Sequence, residues 1–108
     1  MARWTFLTSH ALVLIFLNNH PKITGHELAL SIGITERAVR RVIADLEAEG
    51  YIEKQREGRR VRYTINHRVR FRHPTQRDKE IGILLEAVGR EPEPTRSKPS
   101  IRKRSNSA

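Results

Sequence analysis

Apolar positions along this chain change period several times, and each change marks an element. Ala11 to Leu17 is an unbroken apolar run. Thr8 and Ser9 stand before it as N-cap candidates and Pro21 after it as a stop. A helix with no polar face in this stretch belongs at the centre of a fold, with Trp4, Phe6 and Leu7 packed beside it. Thr24 and Glu27 then have the spacing of a capping box. Leu28, Ala29 and Ile32 form the apolar edge of a short second helix that Gly33 stops. Thr35 caps a third helix with Glu36 in its first turn. Val39, Val42, Ile43 and Leu46 recur at helical spacing up to Gly50.

Beyond Gly50 the period becomes two. Ile52, Lys54 and Arg56 lead to a Glu57-Gly58-Arg59 tip, after which Val61, Tyr63 and Ile65 alternate with Arg60, Arg62 and Thr64. That pattern predicts a β-hairpin, to which Lys22 to Thr24 can add a short third strand. Pro74 holds His73 extended. Thr75 then caps a predicted last helix over 76–88, with Ile81, Leu84, Leu85 and Val88 as its stripe and Gly89 as its end. From 90 to 108 the only large apolar residue is Ile101, among prolines, serines and basic residues, which predicts a disordered basic tail. The chain therefore reads as one domain over 1–89, mainly α with a small β-hairpin (α+β).

The second and third helices carry the most specific pattern. Ala29, Gly33, Val39 and Val42 are spaced by 4, 6 and 3 residues. A small residue allows close helix crossing, a glycine allows the left-handed turn, and the valines, with Ile34, bury one face. Two helices at a steep angle result, with one face of the second left free. The segment from Ile34 to Arg41, and then Leu46 to Ile52, resembles the recognition helix and hairpin exit of winged helix-turn-helix regulators, especially small MarR-type and ArsR-type proteins. The resemblance covers about Leu12 to Ile65. It implies a third helix that enters the major groove and a hairpin wing that touches the DNA backbone or minor groove. It also implies a transcription regulator, more often a repressor, that reads a specific sequence.

Charge points to the same partner on separate grounds. Lys and Arg number 21 against 12 acids, a formal net charge of +9 that suits a polyanion. Arg37, Arg40 and Arg41 occupy the first half of the third helix, and Asp45, Glu47 and Glu49 the second. The helix dipole favours the reverse order. A phosphate-rich partner at the N-terminal half accounts for it, since recognition helices present that half to base edges. Thr35, Glu36, Arg37, Ala38, Arg40 and Arg41 are the candidate interface on this helix. Arg37 and Arg41, at i and i+4, are the base readers and Arg40 a phosphate contact. The Thr35 hydroxyl either bonds a phosphate or only caps the helix. Lys54, Arg56, Arg59, Arg60 and Arg62 stand within nine residues of the hairpin against one acid. One or two cations protect a strand edge from aggregation, and five favour a backbone-binding wing. Arg68, Arg70 and Arg72 either extend the basic surface or solvate a connecting strand.

The stripe of Ile81, Leu84, Leu85 and Val88 needs a covering surface. It folds back on its own domain or pairs with a second copy. A homodimer is the favoured expectation, with Gly82 allowing close approach, because two copies match a palindromic operator. The Arg102-Lys103-Arg104 run of the tail adds non-specific DNA affinity or is a solvated end.

Other function classes find less support. The chain has no cysteine, so disulfides, thiolate metal sites and cysteine nucleophiles are excluded. None of the five histidines pairs at the i, i+4 spacing of a helical metal site, so neither an enzyme nor a metal cofactor is expected. No small-molecule ligand pocket is evident in the pattern. The Ala11–Leu17 run is too short to span a bilayer and lacks a cleavage signal, so a cytoplasmic location off the membrane is expected. A winged helix that binds RNA or protein is the alternative reading. Such domains lack cations on the third helix and wing, and exposed strand aromatics of the kind that stack RNA bases are scarce here.

Overall fold

A computed structural model describes residues 4–89. The proposed tail, 90–108, lies outside the described residues. α1 spans Ser9–Asn19, with the Thr8 side chain as its N-cap, accepting from the Ala11 N–H at 3.2 Å. Val13, Leu14, Ile15 and Leu17 are buried, and α1 touches every other element except the first strand. Its unbroken apolar run is thus the axis of the core.

α2 spans Gly25–Ile32 and α3 spans Glu36–Ala48. Between them Gly33 takes a left-handed backbone (φ 87°) that a side chain would strain. Its N–H and that of Ile34 both donate to the Ala29 carbonyl, at 2.8 and 3.1 Å. Two carbonyl bonds at one turn set the sharp angle between the helices. Val39, Val42, Ile43 and Leu46 of α3 are buried against α1 and α2, and Ile34 packs partly beneath them.

β1 (Ile52–Glu57) and β2 (Arg60–Ile65) form an antiparallel two-stranded sheet, from the Ile52–Ile65 pair at the core to the Glu57–Arg60 pair at the tip. The expected third strand does not form as such. A single bond, the Tyr63 N–H to the Pro21 carbonyl at 2.9 Å, ties the segment before α2 to the edge of β2.

Two further expectations need correction. The last helix, α4, spans Gly82–Val88 and does not begin near Gln76. Residues ahead of it are held by a backbone pairing instead. Phe71 N–H donates to Lys79 O at 3.0 Å, Ile81 N–H to Val69 O at 2.7 Å and Gly82 N–H to His67 O at 2.9 Å. The Thr75 hydroxyl is engaged with His73 Nδ1 at 2.9 Å inside the connecting turn, so it caps nothing. Nor do Trp4 and Phe6 pack beside α1. They are 65% and 92% exposed, while Leu7 alone joins the core. Thr5 bonds the Leu7 carbonyl and so closes a bend that turns the two rings outward, edge to face at 5.1 Å.

Candidate nucleic-acid interface

The start of α3 is built first by its cap. Thr35 is extended, and its Oγ1 accepts from the Ala38 N–H at 3.0 Å. The hydroxyl accepts there as a cap, and its O–H can still donate. Because the Val39–Leu46 stripe faces inward, Arg37, Arg40 and Arg41 fall on the outer side, all exposed. Among the described residues none of the three has an ion-pair partner. Ala38 is half-buried between them. Glu36 is differently engaged: its carboxylate accepts from His26 Nδ1 at 2.7 Å, linking the starts of α2 and α3.

At the other end of α3 two of the acids meet side chains of other segments. Asp45 accepts from His10 Nε2 on α1 at 2.8 Å, and Glu49 lies 3.8 Å from Arg72 Nε. Arg72 thus sits at the acidic end of the helix. Arg70 is anchored nearby, since its carbonyl accepts the Tyr51 hydroxyl at 2.7 Å. The basic run after the hairpin therefore does not continue the arginine face of α3. Arg68, exposed, is held by its N–H to Asn66 Oδ1 at 3.1 Å.

The hairpin does not gather its five cations on one surface. Side chains alternate across the pleat. Lys54 and Arg56, paired with Tyr63 and Val61, share the face that leads to the core, while Arg60 and Arg62 share the opposite face with Glu57. Arg59 is at the tip. The Glu57 carboxylate lies 3.2 Å from Lys22 Nζ and 3.6 Å from Arg62 Nε. Lys54, Arg56 and Arg59 have no ion-pair partner among the described residues. Lys22 was not legible as an interface residue, because a lone cation before a capping box has no periodic signal.

Arg59 and Arg60 also approach the start of α2, where with Lys22, Thr24 and Gly25 they line a shallow groove. The capping box there is complete. Glu27 N–H donates to Thr24 Oγ1 at 3.1 Å, and Thr24 N–H donates to Glu27 Oε1 at 2.9 Å. Those bonds from Thr24, backbone first, hold the Glu27 carboxyl below the usual glutamate range, with Arg60 adding to the effect. Burial pushes the Tyr51 and Tyr63 hydroxyls up.

The four apolar residues expected at a subunit contact divide. Ile81 and Leu85 are buried in the protomer's own core, Leu84 packs partly against it, and Val88 is half exposed. Gly82 does allow a close approach, but to its own chain: a side-chain carbon there would lie 3.0 Å from the His67 carbonyl oxygen. Among the described residues no group of three or more His, Cys, Asp or Glu side chains is placed to hold a metal ion, and no helix is long and apolar enough to cross a membrane.

With this geometry in view, residues 9–59 match a family model described as HTH domain. The match runs from the first residue of α1 to the tip of the hairpin. This segment has the winged helix-turn-helix fold. α2 and α3 are its helix pair and the β1–β2 hairpin is its wing. No curated protein matches the chain.

Proposed function

We propose that the protein binds double-stranded DNA at specific sequences as a homodimer and regulates transcription, acting as a repressor. The observation that carries this reading is the exposed trio Arg37, Arg40 and Arg41 at the start of α3, without ion-pair partners among the described residues, while Asp45 and Glu49 at the far end of the helix have side-chain partners. In this reading α3 lies in the major groove. Arg37 and Arg41 bond guanine edges, Arg40 and the Thr35 hydroxyl meet phosphates, and Ala38 sits close enough to the groove floor for apolar contact. Glu36, drawn toward His26, leaves that end of the helix open to an anion. The wing lies along the backbone, with Arg59 at its tip and Lys54, Arg56, Arg60 and Arg62 on its two faces. Two copies present two α3 helices to successive major grooves about 34–36 Å apart. The resemblance of Leu12 to Ile65 to MarR-type and ArsR-type regulators supports this reading. Repression then follows from occupying a promoter.

Selection of bound duplexes from a random DNA pool tests the proposal. A consensus with two-fold symmetry and half-sites one helical turn apart is the expected result. Enrichment of no sequence, or displacement of the protein by structured RNA more readily than by duplex DNA, overturns it.

A further inference from the structure

We infer that two copies of this chain exchange aromatic arms, the Trp4 and Phe6 rings of each seated in a cleft between α1, α3 and α4 of the other. The inference rests on the two-copy reading above and names its contact surface.

The knob and the hole are both present on one protomer. Trp4 and Phe6 are the two most exposed aromatic side chains of the described core-flanking segment, and they touch each other, forming one apolar projection. Surface aromatics left to water in this way mark contact sites more often than isolated aliphatic residues do. The cleft has a volume of about 350 Å³, within the range of small binding pockets. Ala11, Leu14, Leu46, Phe71, Ile81 and Leu84 form its apolar lining. Ile81 and Leu84 are two of the residues whose apolar spacing first suggested a subunit contact.

Charge selects the occupant. On a chain with net charge +9, the rim of this cleft carries two carboxylates, Asp45 bonded to the His10 ring and Glu49 beside Arg72, against one guanidinium. The C-terminal end of α3, itself the negative end of the helix dipole, lies between them. In sequence the aromatic arm carries Arg3 beside Trp4. A basic aromatic segment is the complement of an apolar cleft with an acidic rim.

Position favours exchange over self-packing. Thr8, at the base of the arm, lines one end of the cleft, so knob and hole are neighbours on the surface. Neighbouring, complementary patches on one chain satisfy each other reciprocally across a two-fold axis. The arm's own rings are turned away by the Thr5–Leu7 bend and the extended Thr8. The cleft touches α3 only at Asp45 and Leu46, and its C-cap Glu49, so pairing there leaves Arg37 and Arg41 uncovered.

Trp4 is the sole tryptophan, which makes its fluorescence a direct report on the arm. The test follows Trp4 emission and sedimentation of the full chain over a concentration series, beside a Trp4→Ala/Phe6→Ala variant observed by sedimentation alone. Both positions are exposed, and an unchanged circular dichroism spectrum checks that the variant folds. The expected result is a dimer whose Trp4 emission is blue-shifted and moves red on dilution in step with dissociation. The double variant then dimerises at least about 100-fold more weakly, since burying one large aromatic is worth roughly one to two tenfold steps. An equally tight dimer in the double variant overturns the arm exchange and leaves the two-copy reading standing. Blue emission independent of concentration means the arm fills its own cleft, which also overturns the exchange. A wild-type chain that stays monomeric removes both.

Discussion

Glu57→Gln is the substitution that isolates the wing's role most cleanly. In the folded chain one carboxylate holds two cations, Lys22 Nζ at 3.2 Å and Arg62 Nε at 3.6 Å, with all three side chains nearly half exposed. Glutamine keeps the strand and the size of the side chain but releases both cations and removes a negative charge from the surface that faces the DNA backbone in the proposed complex. Exposed pairs of this kind contribute at most about 1 kcal/mol to stability, so the fold should persist with little change in Tm. The effect on binding is larger. Each phosphate neutralised adds about 0.9 to the slope of log affinity against log salt. If one or both freed cations reach a phosphate, the slope steepens by about 0.9 to 1.8.

The consequence is a crossing measurable by fluorescence anisotropy on a labelled duplex. Between about 50 and 200 mM salt, one extra phosphate contact changes the dissociation constant about 3.5-fold, and two change it about 12-fold, beyond the change the wild type shows. The variant should therefore bind more tightly than wild type at low salt and lose that advantage as salt rises. Arg59→Ala at the tip, where no acid shares the cation, should move the slope the opposite way by about 0.9. If Glu57→Gln leaves the slope unchanged, or makes it shallower, while the melting curve is unaltered, then the hairpin does not lie on the backbone and the assignment of its cations is wrong.

Three further outcomes are expected. Arg37→Ala or Arg41→Ala should relax preference at one base pair per half-site by about 1–3 kcal/mol, read from competition among single-base variants of the selected duplex, whereas Arg40→Ala should weaken all of them alike. Leu28→Ala, at a position with no solvent exposure where α2 meets α1, should cost about 2–5 kcal/mol in urea unfolding. Glu27 ionises more readily folded than unfolded, so its contribution is present above the usual glutamate range and is lost as pH falls through the lowered folded value; Glu27→Gln should lower Tm at neutral pH and flatten the acid limb of the Tm–pH curve.

What was legible in the sequence depended on how local the cause was. The caps Thr8, Thr24 and Thr35 act on N–H groups three residues away, so their spacing alone identifies them. Gly33 and the α3 stripe are equally local, and the helix pair followed from them. The start of α4 was not local. Thr75 and Pro74 have the form of a helix start, but the competing partners of residues 79–82 lie at 67–71 and are set by a long-range pairing that periodicity does not register. The same limit applies to the wing. Its five cations were visible as a cluster, yet their division between two faces depends on register, and the capture of Arg62 and Lys22 by Glu57 depends on an approach between segments far apart in sequence. The aromatic arm was misread for a related reason. Apolar character argued for burial, and only the bend after Thr5 determines that the rings face out.

The charge order of α3 ties these strands of reasoning together. A helix with arginines in its first half and acids in its second opposes its own dipole, and such an arrangement needs compensation from outside the helix. For Asp45 and Glu49 a partner lies inside the protomer. The His10 ring bonds Asp45 and Arg72 lies against Glu49, each partner coming from a different segment of the chain. For Arg37, Arg40 and Arg41 no compensating group exists among the described residues. A fold shaped only for its own stability would have supplied carboxylates to the arginines as readily as it supplied partners to these acids. In the proposed complex the missing anion is external, and the exposed arginine face of α3 beside a basic wing meets the phosphate backbone of a duplex.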